Sequence, residues 1–517
     1  MPRAIFSALP KCTWVNKALL LSPLPATSGK AALFLQKETD TMKKQTRISR
    51  AKLVERAKTT VIVLLFLSCL YLGFQVFEIY REQTTFDGYR QNTSSVANYA
   101  GNGNGDVKNA ITCFEELSRP ELIVAGNNEF RKTVDDRNGT VNRLVQGIVR
   151  ELYHAESEEL SEVVEEEVIS ALETDWLYVK FPSERSVAYE TAFYNVKNST
   201  IQKSTDIYND MFILPHTGEA IALIYLKDLK SGNWVKTKIS DVNAQEISEL
   251  IKNSADSHSG DNSFAYELNR EYRLNEGASL APLLLFPVDN EQFPIVSVSV
   301  PKLYKAGLSF SRPTDFSIGL ANIFRYNPNT IRQYVTGEGV LMFVGETGTL
   351  GVHPDGLVEY KALDASVGLV ISTASDNNVQ ETLTGVYGIV EQIQRLSGIQ
   401  QNERCEIRIT KMPGYSANHR KYELGFDYYV NGIKVDFGDT YGAWAVVENG
   451  TVVEFKMQVK EADTQLRNAQ IGNLTDAIKS YCHTNPDYTA IIDTKPVYRF
   501  LENEQEITAE WQIKGVK

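Results

Sequence analysis

Short runs of alternating apolar and polar residues dominate the chain beyond Trp176. WLYVKF (176–181), VAYETAFYNV (187–196), DMFILP (210–215) and EAIALIYLKD (219–228) are each rich in aromatic or β-branched residues and bounded by Pro, Gly, Asn or Asp. That pattern predicts strands. VNAQEISELIKNSA (242–255) has the helical period instead, with Ile247, Leu250 and Ile251 on one face. PLLLFP (282–287) and FPIVSVSV (293–300) read as strands ending at Pro301, and SHSGDNS (257–263) as a loop.

The same grammar continues to Lys517. FSIGLANIF (316–324) reads as helical, followed by three strands in succession joined by Gly337-Glu338-Gly339, Gly345–Gly348 and Pro354-Asp355-Gly356 turns. A helix over 377–397 would turn Leu383, Val386, Ile389, Val390, Ile393 and Leu396 inward. CEIRITKM, YELGFDYYVNGIKV and WAVVENGTVVEFKMQV follow as strands, with hairpin turns at Asn431-Gly432 and Asn449-Gly450, whose residues tolerate φ > 0. A last helix, NLTDAIKSYC, precedes strands PVYRFL and ITAEWQIKG. Nearer the N-terminus, 139–173 reads as two helices interrupted at His154–Ser157. One has an apolar face of Leu144, Ile148, Val149 and Leu152; the other has Leu160, Val163, Val164, Ile169 and Leu172. Helices packed on antiparallel meanders make the class α+β.

One segment fits no globular pattern. Thr59–Phe77 holds 19 consecutive uncharged residues. A helix of that length spans about 29 Å, enough for a hydrocarbon core of about 30 Å. Before it stand seven cations, Lys43, Lys44, Arg47, Arg50, Lys52, Arg56 and Lys58, against Glu55 alone. Cations mark the cytoplasmic flank, so the N-terminus is expected inside and the C-terminal region extracytoplasmic, behind a single-pass anchor in the cell membrane. A cleaved signal peptide and a lipoprotein signal at Cys69 are rival readings. No Ala-x-Ala lies nearby, and the apolar run continues eight residues past Cys69.

The expected organisation is a leader (1–41) that reads as an over-extended start before Met42, a basic cytoplasmic segment (42–58), a transmembrane helix (59–79) and a flexible tether (80–109). Three exported regions follow, at 110–305, 306–365 and 366–517. The first is α+β, the second a β-meander and the third α+β, each with its antiparallel strands packed on helices.

Charge sharpens this picture. The whole chain of 517 residues has a formal charge of −12. Residues 1–58 carry twelve cations and three anions, which leaves the remainder with 41 cations and 62 anions, near −21. No polybasic stripe remains for nucleic acid, whose phosphates need a clustered positive face. Three cysteines, Cys113, Cys405 and Cys482, fall in the exported part; one bridge among them is open, a disulfide scaffold is not.

Candidate chemistry is sparse. The six histidines are scattered without a second ligand at metal spacing, and no Walker loop, His-Glu-x-x-His or Gly-x-Ser-x-Gly occurs. Ser299-Val300-Pro301-Lys302 matches Ser-x-x-Lys, and Ser375-Asp376-Asn377 follows it. That chemistry needs Lys one helical turn past the serine, whereas Ser299 lies in an alternating strand run. Asp256–Glu267 is the nearest approach to a calcium loop, but Asp261 occupies the sixth position, where Gly is needed. Tyr428-Tyr429 and Tyr441–Trp444 are candidates for an exposed aromatic strip. No catalytic, cofactor-binding or metal-binding residue is assigned, and a binding or regulatory role is expected.

Beyond spacing, three stretches carry a resemblance. NPNTIRQYVTGEGVLMFVGETGTLGVHPDGLVEY (Asn327–Tyr360), YELGFDYYVNGIKV (Tyr422–Val435) and the closing PVYRF…AEWQIKG resemble the YycH family, whose C-terminal part, here 366–517, is shared by the related YycI proteins. The basic start and single membrane helix fit the same family. It comprises non-enzymatic regulators of the YycFG (WalRK) two-component system of Gram-positive bacteria. The resemblance is clearest over 310–517 and looser over 110–300. It implies the sensor histidine kinase YycG and a YycI-like protein as partners, contacted through membrane helix and ectodomain. Ser68, Gly73 and Gln75 would then sit at a helix–helix contact in the membrane, where small and polar residues favour close approach; tolerated lipid-facing positions are the competing reading. The alternative function is an exported cell-wall-binding module or an anchored enzyme.

Overall fold

The structure, a computed structural model, describes residues 105–136, 139–154, 160–197, 199–240, 242–255, 260–268, 279–288, 292–301, 315–327, 331–371, 378–399, 405–413, 421–500 and 506–517, together with Lys58 and Ser68. Lys58 and Ser68 stand in helical backbone. The rest of the 59–77 span, and with it Gly73, Gln75 and the basic residues from Lys43 to Arg56, lies outside the described residues. So do the leader and residues 80–104 of the expected tether. Among the described residues no helix is long and apolar enough to cross a membrane.

The described residues from Gly105 onward fall within one compact unit. Its architecture is α+β with eight described helices. The first layer is a seven-stranded antiparallel sheet. Its order is Arg131–Thr133, Leu122–Gly126, Trp176–Ser186, Ile207–His216, Ile221–Asp228, Trp234–Ile239 and Ser161–Val163. Alternation along each strand supplies two apolar faces. Leu177, Val179, Met211 and Ile213 pack beneath helices Thr140–His154 and Ala244–Ala255, meeting Val145, Ile148, Val149, Ile247 and Ile251. On the other face Trp176, Tyr178, Phe212 and Trp234 gather around Phe264 and the Val168–Leu172 end of a short helix.

The second layer is a thirteen-stranded sheet. It runs through four meander strands from Arg332 to Ala362, then Thr451–Gln458, Ala443–Glu448, Lys421–Val430, Ile433–Asp436, Ala490–Arg499 and Ala509–Val516. Helix Val379–Leu396 packs against it with Leu383, Val386, Ile389, Val390 and Ile393, all buried. Burying one such side chain contributes about 1.5–3 kcal/mol. Asn378 starts this helix by accepting from the Gln380 and Glu381 amides, at 3.0 and 3.3 Å. Asn431, Gly432, Asn449 and Gly450 all have positive φ, as the hairpin turns require.

Several elements differ from the sequence pattern. Val187–Phe193 is a helix, not a strand: the Ser186 hydroxyl caps it at the Tyr189 amide, and its first turn brings Glu190 back to Arg185. Leu160–Val163 does not continue a helix; Ser161–Val163 pairs with the Trp234–Ile239 strand, and the second helix begins at Glu165, where three glutamates favour a helix N-terminus. Three turns after Asn327 join four strands rather than three. Helix Gly105–Leu117 starts inside the expected tether.

Pairing also crosses the expected boundary at 305. Gln292–Ser299 lies against Glu461–Gln470, a strand too polar to be read from sequence, and Ser279–Leu280 runs parallel to Ala490–Ile491. A second parallel pairing joins Ile433–Asp436 to Ala490–Arg499, so the sheet is not purely antiparallel.

Candidate functional site: a charged cleft between two sheets

A cavity of about 1360 Å³ opens between the two sheets. Lys180 enters it from the middle of the first sheet, and Asp493 and Lys495 from an outer strand of the second. Lys180 Nζ bonds the Asp493 carboxylate and lies 4.0 Å from Glu121. Lys495 reaches the other Glu121 oxygen at 3.2 Å, and the Tyr429 hydroxyl donates to it at 3.5 Å. Each of these charges would be costly in an apolar layer alone; paired, they tie residues more than 300 positions apart in sequence.

The tie is extended on both sides. Arg408, on the strand facing Lys180's layer, bonds Glu406, donates to the Pro120 carbonyl at 2.9 Å and stacks over the Tyr429 ring at 4.6 Å. Lys434 meets fully buried Asp427 at 2.7 Å, and Asp427 also accepts from Thr410 and from the Gly442 amide. Tyr178 donates to Asp210 at 2.8 Å.

Titration follows from these placements. Burial opposes the Lys180 charge, but Asp493, Glu121 and Asp210 overcome it and raise its pKa. Burial likewise works against charged Asp493, yet Lys180 and Lys495 prevail and its pKa is lowered. At Asp210 burial wins over Lys180, and the pKa is raised. The cleft therefore presents compensated charge of both signs, suited to holding a polar chain or group.

The sequence-predicted residues fall elsewhere. Ser299 ends a strand, as its alternation implies, while Lys302 and Ser375–Asn377 lie outside the described residues. His154, His216 and His483 are exposed and apart, and His353 sits 3.3 Å from Glu359. Asp261 and Glu267 of the calcium-like segment pair with Lys132 and Arg131. Among the described residues no group of His, Cys, Asp or Glu is arranged to hold a metal. Tyr428 and Tyr429 are buried in the second layer, so they supply no exposed strip. Among the described residues Cys113, Cys405 and Cys482 form no disulfide.

No family model matches the chain, and no curated protein matches it. Among solved structures it is similar to the crystal structure of YycH from Bacillus subtilis. The two share 13% sequence identity over 78% of this chain and 96% of that chain, with a TM-score of 0.46.

Proposed function

We propose that this chain is a membrane-anchored, extracytoplasmic accessory protein that tunes a cell-wall-linked sensor histidine kinase and performs no chemistry itself. One observation carries the reading. The described parts of the three stretches that resemble the YycH family, over 331–360, 422–435, and 496–500 with 509–515, contribute strands to a single sheet. The resemblance thus follows a folded unit rather than scattered turns. The cleft supports the same reading, since its lysines and carboxylates neutralise one another, across the two layers at Lys180–Asp493 and Lys495–Glu121 and within the second layer at Lys434–Asp427. In this role Thr59–Phe77 anchors the chain beside the kinase's own membrane helices, with Ser68, Gly73 and Gln75 at the contact.

Affinity purification of the tagged full chain from membranes tests the proposal. Recovery of a histidine kinase supports it; retention on peptidoglycan without a kinase favours a wall-binding module. Replacing Thr59–Phe77 with an unrelated apolar helix separates anchoring from contact. Unchanged kinase output in that variant would remove the membrane helix from the regulatory interface.

A further inference from the structure

The strand Ala509–Val516 closes the thirteen-stranded sheet, and among the described residues no strand pairs with its outer edge. None of its eight residues is buried, unlike the strands at the centre of the sheet. An eight-residue edge of this kind leaves a row of backbone donors and acceptors available to another strand.

Its inner neighbour defines which groups face out. Trp511 lies opposite Pro496, and proline has no N–H to give. The Pro496–Trp511 pair is therefore the non-hydrogen-bonded kind, and the backbone groups of Trp511 and Ile513 turn to the open edge. Side chains alternate, so Glu510, Gln512 and Lys514 share one face. Glu510 is steadied there by Arg499 at 2.9 Å, and Lys514 lies 3.9 Å from Glu184; all four remain half exposed.

The sequence of this edge is complementary to itself. We infer that Ala509–Val516 is a self-pairing edge, joining two copies of this chain antiparallel about a two-fold axis at Gln512. In that register Trp511 of each copy exchanges backbone hydrogen bonds with Ile513 of the other. Glu510 of each copy lies directly opposite Lys514 of the other, so the two-fold generates two opposite-charge pairs flanking Gln512. A shift by one residue would lose both pairs and reverse the faces. Charge complementarity thus selects a second copy as the occupant, and isologous pairing closes at two chains.

The test uses the full chain in detergent micelles, with the protein mass followed by light scattering as concentration is raised. The wild type is expected to reach twice the chain mass of 58.0 kDa. Glu510→Lys and Lys514→Glu should each halve that mass, because each places like charges opposite one another twice. Mixing the two variants should restore the dimer, since every 510–514 pair then joins Lys to Glu. The double swap E510K/K514E should dimerise unaided. Recovery on mixing also shows that neither variant had failed to fold. A wild type that stays at the monomer mass throughout, or single variants that remain dimeric, would overturn the inference.

Discussion

Arg185 and Glu190, both fully buried, form a two-pronged ion pair at 2.6 and 2.9 Å across the junction of a strand and a two-turn helix. The guanidinium also lies 4.2 Å from the centre of the Phe181 ring. Burial opposes the Arg185 charge, and Glu190 more than restores it. Removing one partner strands the other in a dry layer, which costs about 3–5 kcal/mol, whereas replacing both with apolar groups is often nearly neutral. Glu190→Ala should therefore lower the urea unfolding free energy by about 3–5 kcal/mol. The double variant R185M/E190L should be more stable than either single. Additive losses in that cycle would show that the pair is not the source of the cost.

Asp493 gives the cleft a pH signature. Its folded-state pKa is lowered, chiefly by Lys180 and then Lys495 against the opposing effect of burial. A lowered carboxyl pKa contributes stability that is present above the unfolded value of about 3.9 and disappears as pH falls through the folded value. Asp493→Asn should thus destabilise the protein at pH 6–7 and converge with the wild type in strong acid. Asp210 has the opposite sign. Its pKa is raised by burial, so its charged form weakens the fold as pH rises past about 4. Asp210→Asn should flatten that part of the curve. Denaturant midpoints measured from pH 2 to 7 check both; parallel curves for wild type and D493N would dismiss the inter-sheet tie.

What the sequence disclosed, and what it hid, divides along the range of the interactions. Asn431-Gly432 and Asn449-Gly450 announce their hairpins because a two-residue turn depends only on its own φ values. The inward face of Val379–Leu396 is legible because one helix carries the whole pattern. VAYETAF reads as a strand because its β-branched and aromatic residues suit one; the Ser186 cap and the Glu190–Arg185 pair decide otherwise. Glu461–Gln470 is invisible because its strand identity comes from Gln292–Ser299, far away in sequence. The cleft left one faint signal. Lys180, Asp493, Asp427 and Arg408 each interrupt an apolar strand, and a charge in such a place needs a partner. Which charges meet is decided only when the sheets stack.

The thiols should be slow nucleophiles in the native state. Burial, followed by Glu391 and Glu116, pushes Cys113 up to about 12. Burial, then Glu406 and Asp463, pushes Cys405 up to about 11. Alkylation proceeds through the thiolate, so these rises cut the reactive fraction on the order of 100-fold or more. Timed iodoacetamide labelling at pH 7.5, read by peptide mass spectrometry, should find both sites protected natively and reactive in urea. Native labelling at the unfolded rate would place these side chains at the surface.

Two turn glycines allow backbone strain to be separated from crowding. Gly432 has φ +80°, and a Cβ added there would meet nothing within 4 Å. Gly356 has φ +93°, and its added Cβ would stand 2.5 Å from the Val459 carbonyl oxygen. That oxygen cannot simply retreat, because the Val459 amide donates to the Gly356 carbonyl at 2.9 Å. Gly432→Ala should therefore cost only the positive-φ penalty, about 1–2 kcal/mol. Gly356→Ala adds a clash of backbone against Cβ and should exceed it, at about 3 kcal/mol or more. The excess would arise where the Pro354–Gly356 turn meets the strand ending at Gln458, so it should speed unfolding of this edge in native-state hydrogen exchange. Equal losses from the two substitutions would mean that the turn can move away from Val459, and that its close approach is not what holds the meander in register.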